Sequence, residues 1–284
     1  FLGKHTPPSV VHRLAWAASG IVARVKPATY RNVRANLRQV LGPEVEGQVL
    51  EGKTRRVFAT ALRGYFDLFR TLQLSQEELA SVVHVTKEAK EVMHDLKGRP
   101  GGSVLVFPHL SAFDLGGLAI SPYIPEVQVL TLADPSPGFQ MLNDLRRSTG
   151  ASVAVTPLSS AALRQALKLL RRGGTVSTAG DRPVSDQDEA VPFFGRPARV
   201  PSGHVRLALK TGAAVAICYC FFSPERETYV MHVDPPLEMV RTGDRDREIR
   251  LNMERVLAAL EAVIRRWPEQ WQMFVPVWPE LMET

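Results

Sequence analysis

Apolar residues recur at helical spacing through the first third of the chain and in short unbroken runs through the rest. Positions 10–25 set Leu14, Trp16, Ala17, Ile21 and Val22 among His12, Arg13 and Arg24. That pattern predicts an amphipathic helix, suited either to core packing or to a membrane interface with Trp16 as anchor. Positions 30–41 repeat it with Val33, Leu37 and Val40 against Arg31, Arg34 and Arg38, and Gly42-Pro43 closes the segment. A longer helix is expected over 46–72, carrying Val57, Ala61, Tyr65, Leu68 and Phe69. Its aromatics Phe58, Tyr65, Phe66 and Phe69 suit an acyl-chain groove, although such a stripe is more often ordinary core. Helices over 75–80 and 87–96 flank a strand-like piece around Val82, Val83 and Val85.

The period changes at Val104. Val104 to Phe107 are apolar and mostly β-branched or aromatic, with Gly101-Gly102 before them and Pro108 behind, which predicts a short buried strand. Ser111-Ala112-Phe113-Asp114 reads as a capping box opening a helix through 115–120. Strands then follow over 127–132, 151–155 and 175–179, alternating with helices over 138–149, 159–172 and 200–211. Strands over 213–222 and 228–233 suit a hairpin, and a helix over 244–267 precedes a Trp-rich tail. Alternating strands and helices predict an α/β fold in one domain, with a central mixed sheet flanked by helices. Residues 1–98 form its mostly helical, basic leading part and 99–284 its α/β core.

Composition narrows the class. A chain of 284 residues with 45% hydrophobic and 23% charged positions is ordinary for a globular protein and argues against disorder. No run of roughly 18 apolar residues occurs, so no helix is expected to span a bilayer. The sequence starts at Phe1, which leaves room for an upstream anchor or signal. Cys218 and Cys220 alternate within one apolar run and are expected as buried thiols. The net charge is +6, and residues 1–70 hold twelve Lys and Arg against four Asp and Glu. A basic helical third points to an anionic partner, most simply a membrane surface. No nucleic-acid recognition motif accompanies it, so nucleic acid is not expected. The seven histidines are scattered, and no metal site is expected. No G-x-G-x-x-G, P-loop or G-x-S-x-G pattern occurs, against nucleotide-binding folds and serine hydrolases.

Three places carry candidate chemistry. His109 leaves the tip of the strand over 104–107 and Asp114 follows five residues later, at a strand-to-helix junction where open α/β sheets place their sites. An imidazole suits a general base near neutral pH, and a carboxylate on its other nitrogen would hold the tautomer. His109 has a plain alternative in satisfying a backbone group, and Asp114 one in the capping box. Asp181 and Arg182 leave a second strand, so Asp181 competes with Asp114 for the histidine, while Arg182 suits a phosphate or carboxylate or pairs with Asp181 in a turn. The third place is Pro192-Phe193-Phe194-Gly195-Arg196-Pro197-Ala198-Arg199-Val200-Pro201-Ser202-Gly203. Phe193 and Phe194 suit a hydrophobic wall, and Ser202, Gly203 and the next amides an anion-receptive helix start. A structured loop with Ser202 as a cap is the plain alternative.

Together these segments resemble the late lipid A (lauroyl) acyltransferase branch of the lysophospholipid acyltransferase superfamily, with bacterial phosphatidylinositol mannoside acyltransferases among the similar proteins. The resemblance rests on Arg31-Asn32-Val33-Arg34-Ala35-Asn36-Leu37, His109 with Asp114 as H-x4-D, and Phe193-Phe194-Gly195 leading to Pro201-Ser202-Gly203. Leu207-Ala208-Leu209-Lys210-Thr211-Gly212-Ala213-Ala214 and the tail tryptophans Trp267, Trp271 and Trp278 extend it.

The resemblance implies a membrane-associated O-acyltransferase. His109 would be the base, and Asp114 the second member of its motif. Asp181 would stand where mannoside acyltransferases carry an acidic partner, as a shorter acid than their glutamate. Arg146, four residues before Gly150, would stand at an arginine used in ligand binding, and Thr131 stands where a relative has a second glutamate. Arg182, Phe193, Phe194, Arg199, Ser202 and Gly203 would complete the binding residues. The donor would be acyl-CoA or acyl-carrier protein as co-substrate, with no cofactor, and the acceptor a lipid or glycolipid hydroxyl. Peripheral location on the cytoplasmic face of the cell membrane follows. A thioesterase using water, or a non-catalytic lipid-binding protein of the same fold, would share these features.

Overall fold

The computed structural model describes residues 8–282 apart from 72, 73, 75, 125, 135–139, 141–152, 186 and 187. The helix expected over 138–149, with Arg146, lies outside the described residues.

Three helices lead the chain: α1 (Pro8–Val25), α2 (Ala28–Leu41) and α3 (Gly47–Thr71). Val33 and Leu37 of α2 meet Leu50 and Val57 of α3 in a small core of their own, as their spacing predicts. Next come α4 (Gln76–Val82), β1 (Val83–Val85) and α5 (Lys87–Leu96). Thr86 caps α5 by accepting a hydrogen bond from the Ala89 amide at 3.1 Å.

The α/β part runs β2 (Ser103–Phe107), α6 (Phe113–Ile120), β3 (Val127–Thr131), β4 (Val153–Pro157), α7 (Ser160–Arg171) and β5 (Thr175–Ala179). It continues through β6 (Ala190–Phe193), β7 (Arg196–Arg199), α8 (Gly203–Thr211), β8 (Ala214–Ser223), β9 (Thr228–Val233) and α9 (Arg245–Arg266). One seven-stranded sheet has the order β1-β9-β8-β2-β5-β3-β4. Its pairings are parallel except β8 with β9, so the sheet is mixed. Side chains alternate between its faces. Val104, Val106, Val176 and Ile217 enter one core with α9, while Leu105, Ala216, Cys218 and Cys220 enter another with α5 and α6. The mixed α/β architecture agrees with the periodicity, and both thiols are buried and free.

Two local expectations are corrected. The helix after His109 starts with Ala112 at its cap position and has no side-chain capping bond. The Ser111 hydroxyl instead donates to Gln270 Oε1 at 2.9 Å, and that oxygen also takes the Phe222 amide. The segment over 190–199 is a small β-hairpin, β6 with β7, turned on Phe194 and Gly195 at φ 51° and 74°. Positive φ at both central residues matches the right-handed twist of the flanking strands.

Candidate active site

The register of β2 and β5 accounts for the site. The two strands run parallel, and their last pair is Phe107 with Ala179. His109 and Asp181 each lie two residues past that pair, so equal steps bring them out side by side at the carboxyl edge of the sheet. The Asp181 carboxylate takes His109 Nδ1 at 2.6 Å on one oxygen and the His109 amide at 2.8 Å on the other. The indole N–H of Trp271 also donates to that second oxygen, at 2.8 Å.

Asp181 is fully buried. Burial opposes its charge, but the attraction and hydrogen bonds of His109 and the Trp271 bond outweigh it, holding the carboxyl below its usual value. An ionised carboxylate only accepts, so the proton between the pair sits on Nδ1 and the Nε2 lone pair is left for chemistry. The ring is held from other sides too. The edge of His109 meets Phe113 with centroids 5.5 Å apart, and the Gln272 amide donates to the His109 carbonyl at 2.7 Å.

His109 stands at the head of a mainly apolar cleft of about 510 Å³. Below it the walls are Leu105, Phe107, Leu118, Ile120, Ile124 and Val127, between α6 and the sheet. That is the volume class and character of a site for a largely apolar small molecule. Gly116 lets α6 approach the sheet, because a Cβ there would come within 2.6 Å of Cys220 Cβ and 2.7 Å of Met231 Sδ. Asp114, on the first turn of α6, also lines the cleft, as do Arg182, Ser202 and Gly203. Burial lowers the Arg182 pKa, partly offset by the neighbouring Asp181. A guanidinium is effectively always protonated in proteins, so the group stays cationic at neutral pH.

Other expected site residues sit elsewhere. Phe193 and Phe194 do not form a cleft wall. Both are buried against Trp271 and Trp278, with Phe193 at 6.4 Å and Phe194 at 6.2 Å from the Trp271 ring. They therefore stand behind the tryptophan that binds Asp181. Arg199 donates to the Asp188 carbonyl at 2.6 Å and braces the loop beside the cleft. Of the aromatics on α3, Phe58 stacks on Tyr30 in the small core, while Phe69 is exposed.

Four residues of the site escaped the sequence reading of chemistry. Trp271 and Gln270 come from the tail, where only the richness in tryptophan gave a signal. Asn36 anchors that tail by donating to the Met273 and Val275 carbonyls and accepting from the Val277 amide, all within 3.0 Å. The role of the Asn36-Leu37 segment is thus legible as support for Trp271 and Trp278. His204, the second residue of α8, lines the cleft from the other face of the sheet.

Among the described residues no group of three His, Cys, Asp or Glu is arranged to hold a metal ion, and no helix is long and apolar enough to cross a membrane. On α1, Val11, Ala15 and Ser19 are buried, while Leu14, Ile21 and Val25 are 63%, 61% and 71% exposed. Arg55 lies 3.9 Å over the Trp16 ring, covering one face of it.

The sequence profile of bacterial lipid A biosynthesis acyltransferases matches residues 2–280. A phosphatidylinositol mannoside acyltransferase of Mycolicibacterium smegmatis is 26% identical over 252 residues, 87% of this chain and 78% of that protein. Proteins of the same name from Mycobacterium tuberculosis, strains CDC 1551 / Oshkosh and ATCC 25618 / H37Rv, are each 28% identical over 188 residues. Those matches cover 62% of this chain and about half, 54%, of the relatives.

Proposed function

The chain belongs to the bacterial lipid A biosynthesis acyltransferase family, and we propose that it moves a fatty acyl group from a thioester to a hydroxyl of a lipid or glycolipid at a membrane surface. The donor is acyl-CoA or acyl-carrier protein. The observation that carries this reading is the His109–Asp181 pair at the head of an apolar cleft.

The acceptor hydroxyl gives its proton to His109 Nε2 as its oxygen attacks the thioester carbonyl carbon. The imidazolium that forms is stabilised by the Asp181 carboxylate, which keeps its charge throughout. Arg182 and nearby backbone amides offset the charge on the tetrahedral oxygen. Collapse of that intermediate breaks the carbon–sulfur bond, and the thiolate leaves with the proton returned by His109. The acyl chain lies between α6 and the sheet, and the amide groups at the start of α8 take the donor phosphate. The exposed stripe Leu14, Ile21 and Val25 rests α1 on the lipid surface at the cytoplasmic face of the membrane.

The test is thiol release from lauroyl-CoA on vesicles containing a phosphatidylinositol mannoside, with acylated lipid followed by mass spectrometry. Wild-type protein is expected to form acylated lipid and His109→Ala to lose both products. Wild-type rates in His109→Ala would sink the base, and free fatty acid as the sole product would make the protein a thioesterase.

A further inference from the structure

The acyl channel lies on the Leu105–Phe107 face of the sheet, whereas His204 lies on the opposite face. A Cβ added to Gly180 would meet Val106 Cγ1, which points away from Leu105, and would lie 3.9 Å from His204 Cε1. Gly180 immediately precedes Asp181, the partner of His109. His204 therefore stands close behind the reacting centre, on the side the acyl chain does not occupy.

The His204 side chain is only 2% exposed, and its Nε2 has no hydrogen-bond partner among the described residues, yet the residue lines the cleft. A buried polar group left unpaired costs on the order of 1–3 kcal/mol, so an unpaired nitrogen facing a cleft calls for an explanation, a bound group among them. Burial pushes the His204 pKa down to about 4, so the ring is neutral at neutral pH. A neutral imidazole matches an uncharged polar group such as an amide, and is poorly matched to a phosphate.

The surroundings give an order along the cleft. Outward from His204, the nine-residue helix α8 begins at Gly203, with Ser202 before it and Arg206 donating to the Ser202 hydroxyl at 2.8 Å. Arg206 is exposed and cationic, and helix-start amides favour an anion. From the base outward, the cleft thus presents a neutral hydrogen-bonding group and then an anion-receptive mouth. The arm shared by coenzyme A and carrier-protein thioesters has the same order, with amides near the sulfur and a phosphate farther out.

We propose that His204 binds an amide of the pantetheine arm of the acyl donor, with the start of α8 and Arg206 taking the phosphate beyond it. This deepens the acyltransferase reading and rests on it for the identity of the donor. His204 acts through recognition of the arm and takes no part in proton transfer at the carbonyl.

The experiment compares lauroyl thioesters of ethanethiol, pantetheine and coenzyme A, reading kcat/KM for thiol release. His204→Leu is expected to reduce the preference for the pantetheine over the ethanethiol thioester by about threefold to tenfold, the worth of one hydrogen bond. His204→Gln, which keeps a donor, is expected to recover most of it. Arg206→Ala is expected to reduce only the further preference for coenzyme A over pantetheine. A carrier protein loaded with the same acyl arm distinguishes the two donor sources by its own kcat/KM. An unchanged pantetheine-to-ethanethiol ratio in His204→Leu would overturn the proposal, as would a change confined to the acceptor KM. If wild-type protein turned over none of these donors, the acyltransferase reading would fail. The subsite would then be tested by calorimetric titration with pantetheine, where equal or absent binding in wild type and His204→Leu overturns it.

Discussion

The Trp271 indole N–H and the His109 amide converge on one oxygen of Asp181, each at 2.8 Å, while the other oxygen holds the His109 ring. A residue in the tail thus fixes a carboxylate that emerges from the middle of the sheet. Trp271→Phe keeps a large ring against Phe193 and Phe194 but removes a hydrogen bond to a buried charge. It is expected to lower stability by about 1.5–3 kcal/mol, read as a lower urea midpoint at unchanged slope. It should also slow thiol release, because His109 loses a firm partner. An unchanged midpoint and rate would show that the Trp271 bond contributes nothing.

Asp181 and Asp114 are separable by amide substitution. Asp181→Asn keeps the shape but removes the charge that stabilises the imidazolium, and should cut kcat for thiol release by about 10²–10⁴-fold. Asp114→Asn leaves the Asp181–His109 Nδ1 contact in place and should cost less than about tenfold in kcat. The reverse ranking would make Asp114 the orienting acid.

The legibility of this site follows the physics of each part. Strand ends were readable because Val104 to Phe107 and Thr175 to Ala179 are short runs punctuated by Gly and Pro, which localises His109 and Asp181 to sheet edges. Which of Asp114 and Asp181 pairs with His109 was not readable, because it depends on the register of two strands far apart in sequence. Phe193 and Phe194 looked like a substrate wall since a side chain beside a loop has no sequence mark for its direction. The hairpin of β6 and β7 turns them inward onto Trp271 and Trp278. Ser111 matched a capping box, but Gln270 takes its hydroxyl, a tertiary bond that local spacing does not reveal.

Asn36 tests whether the tail is what holds Trp271. Its three hydrogen bonds, two of them buried, reach Met273, Val275 and Val277. Asn36→Leu takes the partner from one buried carbonyl, one part-buried carbonyl and one buried amide, at a cost on the order of 3 kcal/mol. The expected result is a lower urea midpoint together with slower thiol release at temperatures where the protein is still folded. A loss of stability without loss of rate would separate the tail anchor from the site.

His204 makes stability depend on pH with a definite sign. Its pKa is about 4 in the folded protein against an ordinary value of 6.5. Above pH 6.5 neither state binds the proton, so the group contributes no pH dependence. Between pH 6.5 and 4 only the unfolded chain binds it, so stability falls as pH falls, and below pH 4 the loss levels off at about 3 kcal/mol. Asp181 acts in the same sense but lower down, because its folded pKa too lies below the unfolded one. Its depressed pKa stabilises the fold above the ordinary carboxylate range, and that contribution disappears only as pH falls through the folded value. Urea midpoints are measured from pH 7 to pH 5; His12, whose pKa is also lowered by burial, contributes in the same window, so the His204 share is read as the difference between wild type and His204→Leu, which should have the flatter profile. If the variant loses stability with pH as steeply as wild type, the acid sensitivity originates elsewhere and His204 is not the buried neutral imidazole described.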